Sequence, residues 1–422
     1  MIDGYDLPEA APGRYRPLRE DRQLSKAYFP DHLPPNFDLS DELIKSYGNA
    51  MWALGRLDGL GSEVDSPGAV FGSFVYKEAE QSSQVEGTAV TLSDIYRFEI
   101  DEAQFADGRP TDEYESDVQE ARNYIQALGE AVGYLGTAGR SRENLTTELI
   151  KQLHATLMEN GRTDEDDPLP GEFRPGFAII EEDNPYSPGK RIRFIPPKSD
   201  EVSHLMADLE TFIQGGSRWP SLIDVAVAHY QFETVHPFKD GNGRVGRLLV
   251  VLMLLATDLI HYPMLYLSSY IERHRDEYAE RLLGVSERGE WEEWLQFFLR
   301  GIHEQSAEAF VRAKLLLQKR HAYEDRYGDG PDSVRRLTMR IFEEPYFTIN
   351  EAAEMIEMTY EAAKNAVYRL EDDGVLDEIT GKQRHRVYCA EEIMDIVERP
   401  GPSLPEPNDL VDVSAAWQLP RQ

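Results

Sequence analysis

Twelve consecutive residues of this 422-residue chain combine a base, an acid, a glycine-rich turn and two arginines. They are His236-Pro237-Phe238-Lys239-Asp240-Gly241-Asn242-Gly243-Arg244-Val245-Gly246-Arg247. Each residue type suits a metal-bound polyphosphate. Glycines let backbone N–H groups converge on an anion, and the positive end of the helix predicted to begin here points at the same anion. Asp240 is a hard oxygen ligand of the kind that Mg²⁺ takes.

The other side chains of this motif supply positive charge and a proton acceptor. Arg244 and Arg247 lie three residues apart, so on a helix they share a face and can both reach phosphate oxygens. His236 is the group in the motif whose ordinary pKa suits proton abstraction near neutral pH. The simpler interpretation is a helix–loop–helix turn with glycine caps and surface arginines. Twelve ordered positions of complementary chemistry argue against it.

The same run matches, position for position, the signature His-Pro-Phe-x-(Asp/Glu)-Gly-Asn-Gly-Arg-x-x-Arg of the Fic family. The chain resembles that family over roughly residues 35 to 395. The resemblance implies an enzyme that uses ATP and Mg²⁺ to move AMP onto a Ser, Thr or Tyr hydroxyl of a protein. It makes His236 the catalytic base and Asp240 the metal ligand. It assigns the nucleotide to the remaining motif residues, namely Gly241, Asn242, Gly243, Arg244, Val245, Gly246 and Arg247.

A second motif lies at the end of a helix predicted at about 66–87. Ser82-x-x-x-Glu86-Gly87 matches the inhibitory motif (Ser/Thr)-x-x-x-Glu-(Gly/Asn) of Fic proteins whose inhibitory helix precedes the catalytic core. From the residues alone, Glu86 is a carboxylate at the unfavourable end of a helix dipole, which also fits a solvated helix end. The resemblance pairs Glu86 with Arg247. It therefore predicts that ATP binds in an unproductive pose, or does not bind, while the pair is intact.

Two short β-prone runs between residues 174 and 197 predict a hairpin, the one conspicuous strand pair in a helical chain. The segment resembles the flap of Fic proteins, from Gly-x-Phe-Arg to the Pro-Pro pair. This implies that an exposed strand edge holds a target segment through main-chain hydrogen bonds. Phe194 and Ile195 would then clamp the side chain that is modified.

The predicted fold is mostly α: a Fic-type helical core with a β-hairpin flap, followed by a small winged-helix domain. The N-terminal region begins with an extended strap to about residue 38 and includes the inhibitory helix. Ser40 and Ser66 are predicted to cap the first two helices, and Thr348 is predicted to cap a helix of the last domain. The recognition helix of the last domain would run from Thr359 to Leu370. The predicted divisions are 1–110 for the N-terminal helical region, 111–320 for the catalytic core, 321–332 for a linker, 333–399 for the winged helix and 400–422 for a flexible tail.

Charge is the unusual feature of the composition. There are 77 acidic and 44 basic residues, so the net charge is −33, and the acidic residues are spread along the chain. A uniformly acidic surface indicates an adaptation for solubility. Because the Debye length is only about 3 Å at molar salt, such self-repulsion is screened there, and we expect a halophilic protein from a salt-rich cytoplasm.

The same charge bears on partners. It argues against broad nonspecific DNA binding and against an anionic membrane surface. Residues 333–399 hold nine basic and fifteen acidic residues, so a DNA contact is doubtful and a protein contact is at least as well supported. The target protein is not named by the sequence and could be this chain itself. A homodimer is compatible with the sequence.

Cysteine content and hydropathy bear on the compartment. Cys389 is the only cysteine, which excludes an intrachain disulfide and fits a reducing environment. No signal peptide is predicted, and the most apolar run, Leu248 to Ala256, is too short to cross a bilayer. We therefore expect a cytoplasmic protein.

Two other functions stay open from the sequence. The first is a transcriptional regulator with a degenerate Fic core that uses residues 333–399 on DNA, although the intact signature argues against it. The second keeps the enzyme but reverses the reaction, so that Glu86 positions water for the removal of AMP from a modified protein. Another transferred group, such as UMP, also fits the motif.

Overall fold

The computed structural model describes residues 7–17, 26–62, 64, 67–104, 113–159, 170–183, 189–382 and 384–399. As predicted, the fold is mostly helical with small sheets. The predicted cap Ser66, the turn of the flap and the tail 400–422 lie outside the described residues. Within the described residues, no helix is long and apolar enough to cross a membrane.

The first six helices come before the two that flank the turn of the His236–Arg247 motif, which is called the catalytic motif below. They are α1 (Asp41–Ser62), α2 (Pro67–Val85), α3 (Leu92–Gln104), α4 (Glu113–Ala138), α5 (Thr147–Leu157) and α6 (Ser199–Gly215), with a 3-10 turn at Arg142–Asn144. The others are α7 (Ser221–Val235), α8 (Asn242–Ala256), α9 (Ser268–Arg273), α10 (Arg275–Arg288), α11 (Trp291–Tyr327), α12 (Asp332–Arg340), α13 (Ile349–Met355), α14 (Tyr360–Asp372) and α15 (Glu391–Glu398).

The strands form three small antiparallel sheets. They pair β1 (Gly13–Pro17) with β2 (Lys26–Pro30), and β3 (Ile180–Asp183) with β4 (Lys190–Phe194). The third sheet has the order β5-β7-β6, from Tyr346–Thr348, Val387–Cys389 and Asp377–Glu378 respectively.

Helices α7 and α8 form the centre of the core. Nearly every residue of both is buried. A helix that is apolar on all sides is expected to be enclosed by others, and the run Leu248 to Ala256 of α8 is such a helix. The first half of the catalytic motif, residues 236–241, is the turn between α7 and α8, and its second half is the start of α8. The backbone of this loop is therefore held at both ends by two almost fully buried helices.

Several helix starts follow their local sequence signals. The backbone N–H of Leu43 donates to Ser40 Oγ at 3.1 Å, which caps α1 as predicted. Thr348 caps α13 in a capping box, because Thr348 N–H donates to Glu351 Oε2 at 2.7 Å and Glu351 N–H donates to Thr348 Oγ1 at 3.3 Å. These contacts are local, so the sequence was sufficient to place them.

The flap is not the only hairpin, so that prediction was wrong. Part of the segment predicted as an extended strap forms the β1–β2 hairpin, with Tyr15 opposite Tyr28 and Arg14 opposite Phe29. β2 is buried against the core: Ala27 and Tyr28 are 0% exposed. Each strand has only five residues and ends in a proline, which hides the alternating pattern that normally reveals a strand.

The chain that joins the core to the C-terminal module is largely helical. α11 runs to Tyr327 and so covers most of the predicted linker 321–332. Tyr323 and Tyr327, four residues apart on this charged helix, are buried, and Tyr323 packs 5.9 Å from Phe342 of the module. This aromatic stripe stabilises the helix where composition alone indicated a loop.

The C-terminal module consists of α12–α15 and the third sheet. Its apolar core is continuous with that of the N-terminal helices, since Leu57, Phe74 and Tyr96 belong to the same buried cluster as Phe347 and Val367. The winged-helix assignment stays a prediction. The shared cluster means that the module and the N-terminal helices stabilise each other.

Arg312 of α11 fastens the end of α15. Its side chain is 2% exposed, and its guanidinium donates to the carbonyls of Ile396 (3.0 Å), Val397 and Arg399 and to the carboxylate of Glu308. Carbonyls in the last turn of a helix have no partner within the helix. A buried cation therefore satisfies the C-terminal end of α15.

Replacing Arg312 should destabilise the fold strongly. Arg312→Met leaves the α15 carbonyls and the Glu308 carboxylate buried without their partner, and should lower the free energy of unfolding by about 3 kcal/mol or more. Arg320→Met, on the same helix, removes a more exposed ion pair with Glu324. It should change the free energy of unfolding by less than about 1 kcal/mol. Urea denaturation followed by circular dichroism measures both. Equal losses in the two variants would contradict this role.

Candidate active site

The loop of the catalytic motif is held by the side chain of Asn242. Its Oδ1 accepts a hydrogen bond from Phe238 N–H at 2.8 Å, and its Nδ2 donates to Phe238 O at 2.9 Å. Asn242 is 2% exposed. Both polar groups of the amide are thus engaged within the loop. The side chain therefore shapes the turn and has no polar group left to bind a ligand.

His154 of α5 packs against the loop of the catalytic motif. Nothing in the sequence had indicated a role for this residue. Its ring stacks on Phe238 with centroids 3.8 Å apart. Its Nδ1 accepts from Gly171 N–H at 2.9 Å, so the ring proton lies on Nε2, which donates to Asp240 O at 3.2 Å. Burial lowers the pKa of His154 to about 4. A buried histidine on an amphipathic helix carries no motif that would reveal this contact.

Arg174 ties the start of the flap to the catalytic loop. It donates to four carbonyls at the junction of flap and motif: Nε to His236 O at 2.7 Å, Nη1 to Gly176 O at 2.7 Å, and Nη2 to Pro197 O at 2.6 Å and Val235 O at 3.2 Å. Its side chain is 3% exposed. The Gly-x-Phe-Arg run indicated a flap, but gave no role to this arginine.

His236 has the environment of a neutral base. It ends α7 in a left-handed conformation (φ 49°, ψ 62°), and its Nδ1 is buried without a hydrogen-bond partner among the described residues. Burial, and then the charge of Arg174, lower the pKa of His236 to about 4. The imidazole is therefore unprotonated at neutral pH and able to accept a proton.

The N-terminus of α8 faces a carboxylate. Gly241, with φ of 73°, makes the turn into the helix. A Cβ placed on Gly243 would lie only 2.5 Å from Glu86 Oε1, so the carboxylate rests against the backbone of the first helical turn. The positive end of a helix is a favourable place for an anion. Glu86 is thus the anion that this site holds within the chain.

Arg247 binds the same carboxylate. Its Nη2 donates to Glu86 Oε1 at 2.8 Å and to Ser82 O at 2.9 Å, and its Nε donates to Ser82 Oγ at 2.9 Å. Arg247 is 2% exposed. Burial would raise the pKa of Glu86, but Arg247 and Arg244 outweigh it and hold that pKa below its ordinary value. The structure therefore brings together Ser82, Glu86 and Arg247 as the sequence motif predicted.

The other arginine of the motif also has a partner, which the sequence did not indicate. Arg244 Nη1 donates to Glu120 Oε2 at 2.7 Å, and both side chains are buried. Glu120 lies on α4, 124 positions away in the chain. Arg244 is consequently fixed before any ligand arrives.

Comparisons with known proteins agree with this geometry. Residues 44–133 match the family model described as Fic/DOC family N-terminal, and residues 144–254 match the model of the Fic/DOC family itself. The chain belongs to the Fic/DOC family. The catalytic motif lies within the second match, and Ser82 and Glu86 lie within the first.

Relatives of this Fic chain include proteins named protein adenylyltransferase Fic. The one from Aedes aegypti is 26% identical over 217 residues, which is 50% of this chain and 37% of that protein. The one from Drosophila melanogaster is 25% identical over 213 residues, 47% of this chain and 38% of that protein. The chain thus spans less than two-fifths of the length of these curated relatives.

A solved structure has the same fold. A Fic family protein from Desulfovibrio desulfuricans G20 is 19% identical, with a TM-score of 0.52, and the alignment covers 85% of this chain and 98% of that chain.

Asp240 of this Fic chain suits a metal ion that arrives with a nucleotide. Its side chain is 57% exposed, and its Oδ1 accepts from Gly241 N–H at 2.6 Å. Among the described residues, no three His, Cys, Asp or Glu side chains form a group that could hold a metal ion alone. Mg²⁺ in proteins commonly takes one or two carboxylates and completes its shell with phosphate oxygens and water. A single exposed aspartate fits that pattern.

Phe194 and Ile195, the flap residues predicted to clamp the target, contact the N-terminal hairpin. Tyr28 N–H donates to Ile195 O at 2.9 Å, and Ile195 packs against Ala27 and Phe29. The ring of Phe194 lies 5.5 Å from that of Tyr28. Among the described residues of the flap, the large apolar side chains that are exposed are Phe177, Ile179 and Ile192. The prediction missed this because it treated the N-terminal segment as an extended strap.

The pKa of His236 can be measured directly. Histidine-labelled protein should show the His236 imidazole protonating near pH 4 in an NMR titration, with His236→Gln used to assign its signal. Since the unfolded-state pKa is near 6.5, the unfolded chain takes up this proton first as the pH falls. The free energy of unfolding should therefore drop between pH 6.5 and 4, by up to about 3 kcal/mol from this residue. A midpoint near pH 6.5 would contradict the described environment.

Proposed function

We propose that this chain transfers AMP from Mg-ATP to a Ser, Thr or Tyr hydroxyl of a protein, its own chain included, and that Glu86 restrains the reaction. The observation that carries the proposal is the convergence at the start of α8. A neutral buried His236, an exposed Asp240 and the buried Arg247 meet at one helix N-terminus. The names of the curated relatives support the same activity.

Each group has a role that fits its surroundings. His236 accepts the proton of the target hydroxyl, whose oxygen attacks the α-phosphorus while the bond to diphosphate breaks. The free N–H groups of the first turn of α8 stabilise the charge on the phosphates, and Arg247 stabilises the charge of the leaving diphosphate. Asp240 would hold Mg²⁺, which neutralises phosphate charge when it is bound.

An apolar cavity beside the motif suits the base of the nucleotide. It lies between the flap and α10, lined by Ile180 and Phe194 on one side and Ala279 and Leu282 on the other. Glu233 of α7, one turn before His236, also lines it. An apolar pocket with few polar groups is the usual surrounding of a bound ring.

Inhibition follows from competition for the same positive charges. Glu86 Oε1 rests against Gly243 and accepts from Arg247, so it lies where phosphate oxygens would have to lie. A terminal phosphate and this carboxylate cannot both occupy that place. In wild type, ATP must therefore displace Glu86 or bind in a pose that does not align the α-phosphate.

The first test locates the label from α-labelled ATP. With Mg²⁺ present, the purified chain should become labelled, and His236→Ala should lower the rate by about 10²–10⁴-fold without loss of folding. Asp240→Ala should lose the Mg²⁺-dependent rate. Lys239→Ala, a neighbour given no role in the reaction, serves as the control. Undiminished labelling of His236→Ala would overturn the proposal.

The second test addresses Glu86. Glu86→Gly should label itself roughly tenfold faster or more, because deletion of one partner of the pair frees Arg247 for the terminal phosphate. Glu86→Ala, which removes the same carboxylate without the backbone freedom of glycine, is the control and should show the same gain. Glu86→Gly/Arg247→Ala should lose the gain, since the freed arginine is its cause.

Removal of AMP is the second candidate function. The observation in its favour is that the Glu86 side chain is 37% exposed at the site, so it could also position a water molecule. In that case Glu86→Gly would not label itself faster at saturating Mg-ATP. It would instead strip AMP from a pre-modified protein more slowly than wild type.

A further inference from the structure

The turn that carries Glu86 is held from one side by α3. This turn, residues 86–91, joins α2 to α3. Leu92 N–H at the start of α3 donates to Glu80 Oε1 at 3.2 Å, and Gln84 Nε2 donates to Val90 O at 3.1 Å. The position of Glu86 therefore depends on where α3 begins.

α3 is in turn held by the C-terminal module. The ring of Tyr96 of α3 is stacked between Tyr76 of α2, at 4.4 Å, and Tyr346 of β5, at 5.1 Å. Tyr96 is 4% exposed. One continuous aromatic stack thus joins the inhibitory helix, the helix after it and the first strand of the module.

A second contact reaches α2 from the end of the module. α15 packs against α2, where Lys77 and Glu80 form a buried ion pair at 2.7 Å. Burial, and then the charge of Glu80, raise the pKa of Glu398 in α15. Because Arg312 fixes the end of α15 to α11, the module has an anchor on the core that is independent of α2.

We propose that the C-terminal module, residues 333–399, braces the 86–91 turn and thereby keeps Glu86 on Arg247. The inference rests on the proposed function, in which Glu86 restrains AMP transfer. A change that loosens the module, such as a partner protein bound to it, would raise the population in which Arg247 is free. The module then acts as a regulator of the enzyme through α3, without touching the nucleotide.

The test uses Tyr346, which is far in sequence from every catalytic residue. Tyr346→Leu keeps apolar volume but removes the stack on Tyr96, and Tyr346→Ala removes both. Tyr360→Leu, an exposed tyrosine of the same module, is the matched control. Hydrogen exchange of the full chain, measured by mass spectrometry, should be roughly two- to tenfold faster in the peptide 83–92 for Tyr346→Leu, and unchanged for Tyr360→Leu.

Labelling with α-labelled ATP supplies the second readout. Tyr346→Leu should raise the rate by a similar factor in the wild-type background and not at all in the Glu86→Gly background, where the restraint is already gone. A variant that was merely damaged would instead lose activity in both backgrounds, which would overturn the brace.

Unchanged exchange of peptide 83–92 in both Tyr346 variants would also overturn it. The exchange measurement does not depend on enzymatic activity. It therefore tests whether the module holds the 86–91 turn even if Glu86→Gly fails to accelerate labelling. That failure would count against the proposed inhibition alone.

Discussion

The positive N-terminus of α8 attracts an anion. The behaviour of the rest of the site depends on which anion binds there. Within the chain, that anion is the carboxylate of Glu86, which rests against Gly243 and binds Arg247 at 2.8 Å. Because Arg247 is 2% exposed, an unpaired guanidinium there would cost several kcal/mol. The contact with Glu86 therefore stabilises the buried guanidinium. Only a ligand with comparable negative charge, such as a polyphosphate, can replace it.

This competition requires a rigid frame. α7 and α8 are enclosed on all sides, so the loop between them begins and ends at fixed points. Backbone groups of this loop form hydrogen bonds with the side chains of Asn242, His154 and Arg174. None of these three side chains needs to touch the substrate. Their contacts hold His236 and the first turn of α8 in the geometry that the chemistry requires.

The sequence was sufficient where the signal was local or carried by a family motif. Ser40 and Thr348 reveal helix starts through contacts three residues away, and the ordered motif places His236 and Asp240 in one loop. Glu86 and Arg247 lie 161 residues apart, so only the resemblance could pair them.

Partners without a motif could not be anticipated. Glu120 for Arg244 is one example, and the hairpin that covers Ile195 is another. The length of α11 depends on Tyr323 and Tyr327 packing against a module that lies later in the chain. In each case the deciding interaction is tertiary, and no local sequence pattern indicates it.

The most direct measurement is a pair of crystal structures, of wild type and of Glu86→Gly, each with Mg²⁺ and a non-hydrolysable ATP analogue. The competition described above predicts that the terminal phosphate binds Arg247 in Glu86→Gly. In wild type, Arg247 should remain on Glu86, with the triphosphate displaced or absent. A wild-type structure in which the terminal phosphate binds Arg247 while Glu86 stays against Gly243 would contradict it.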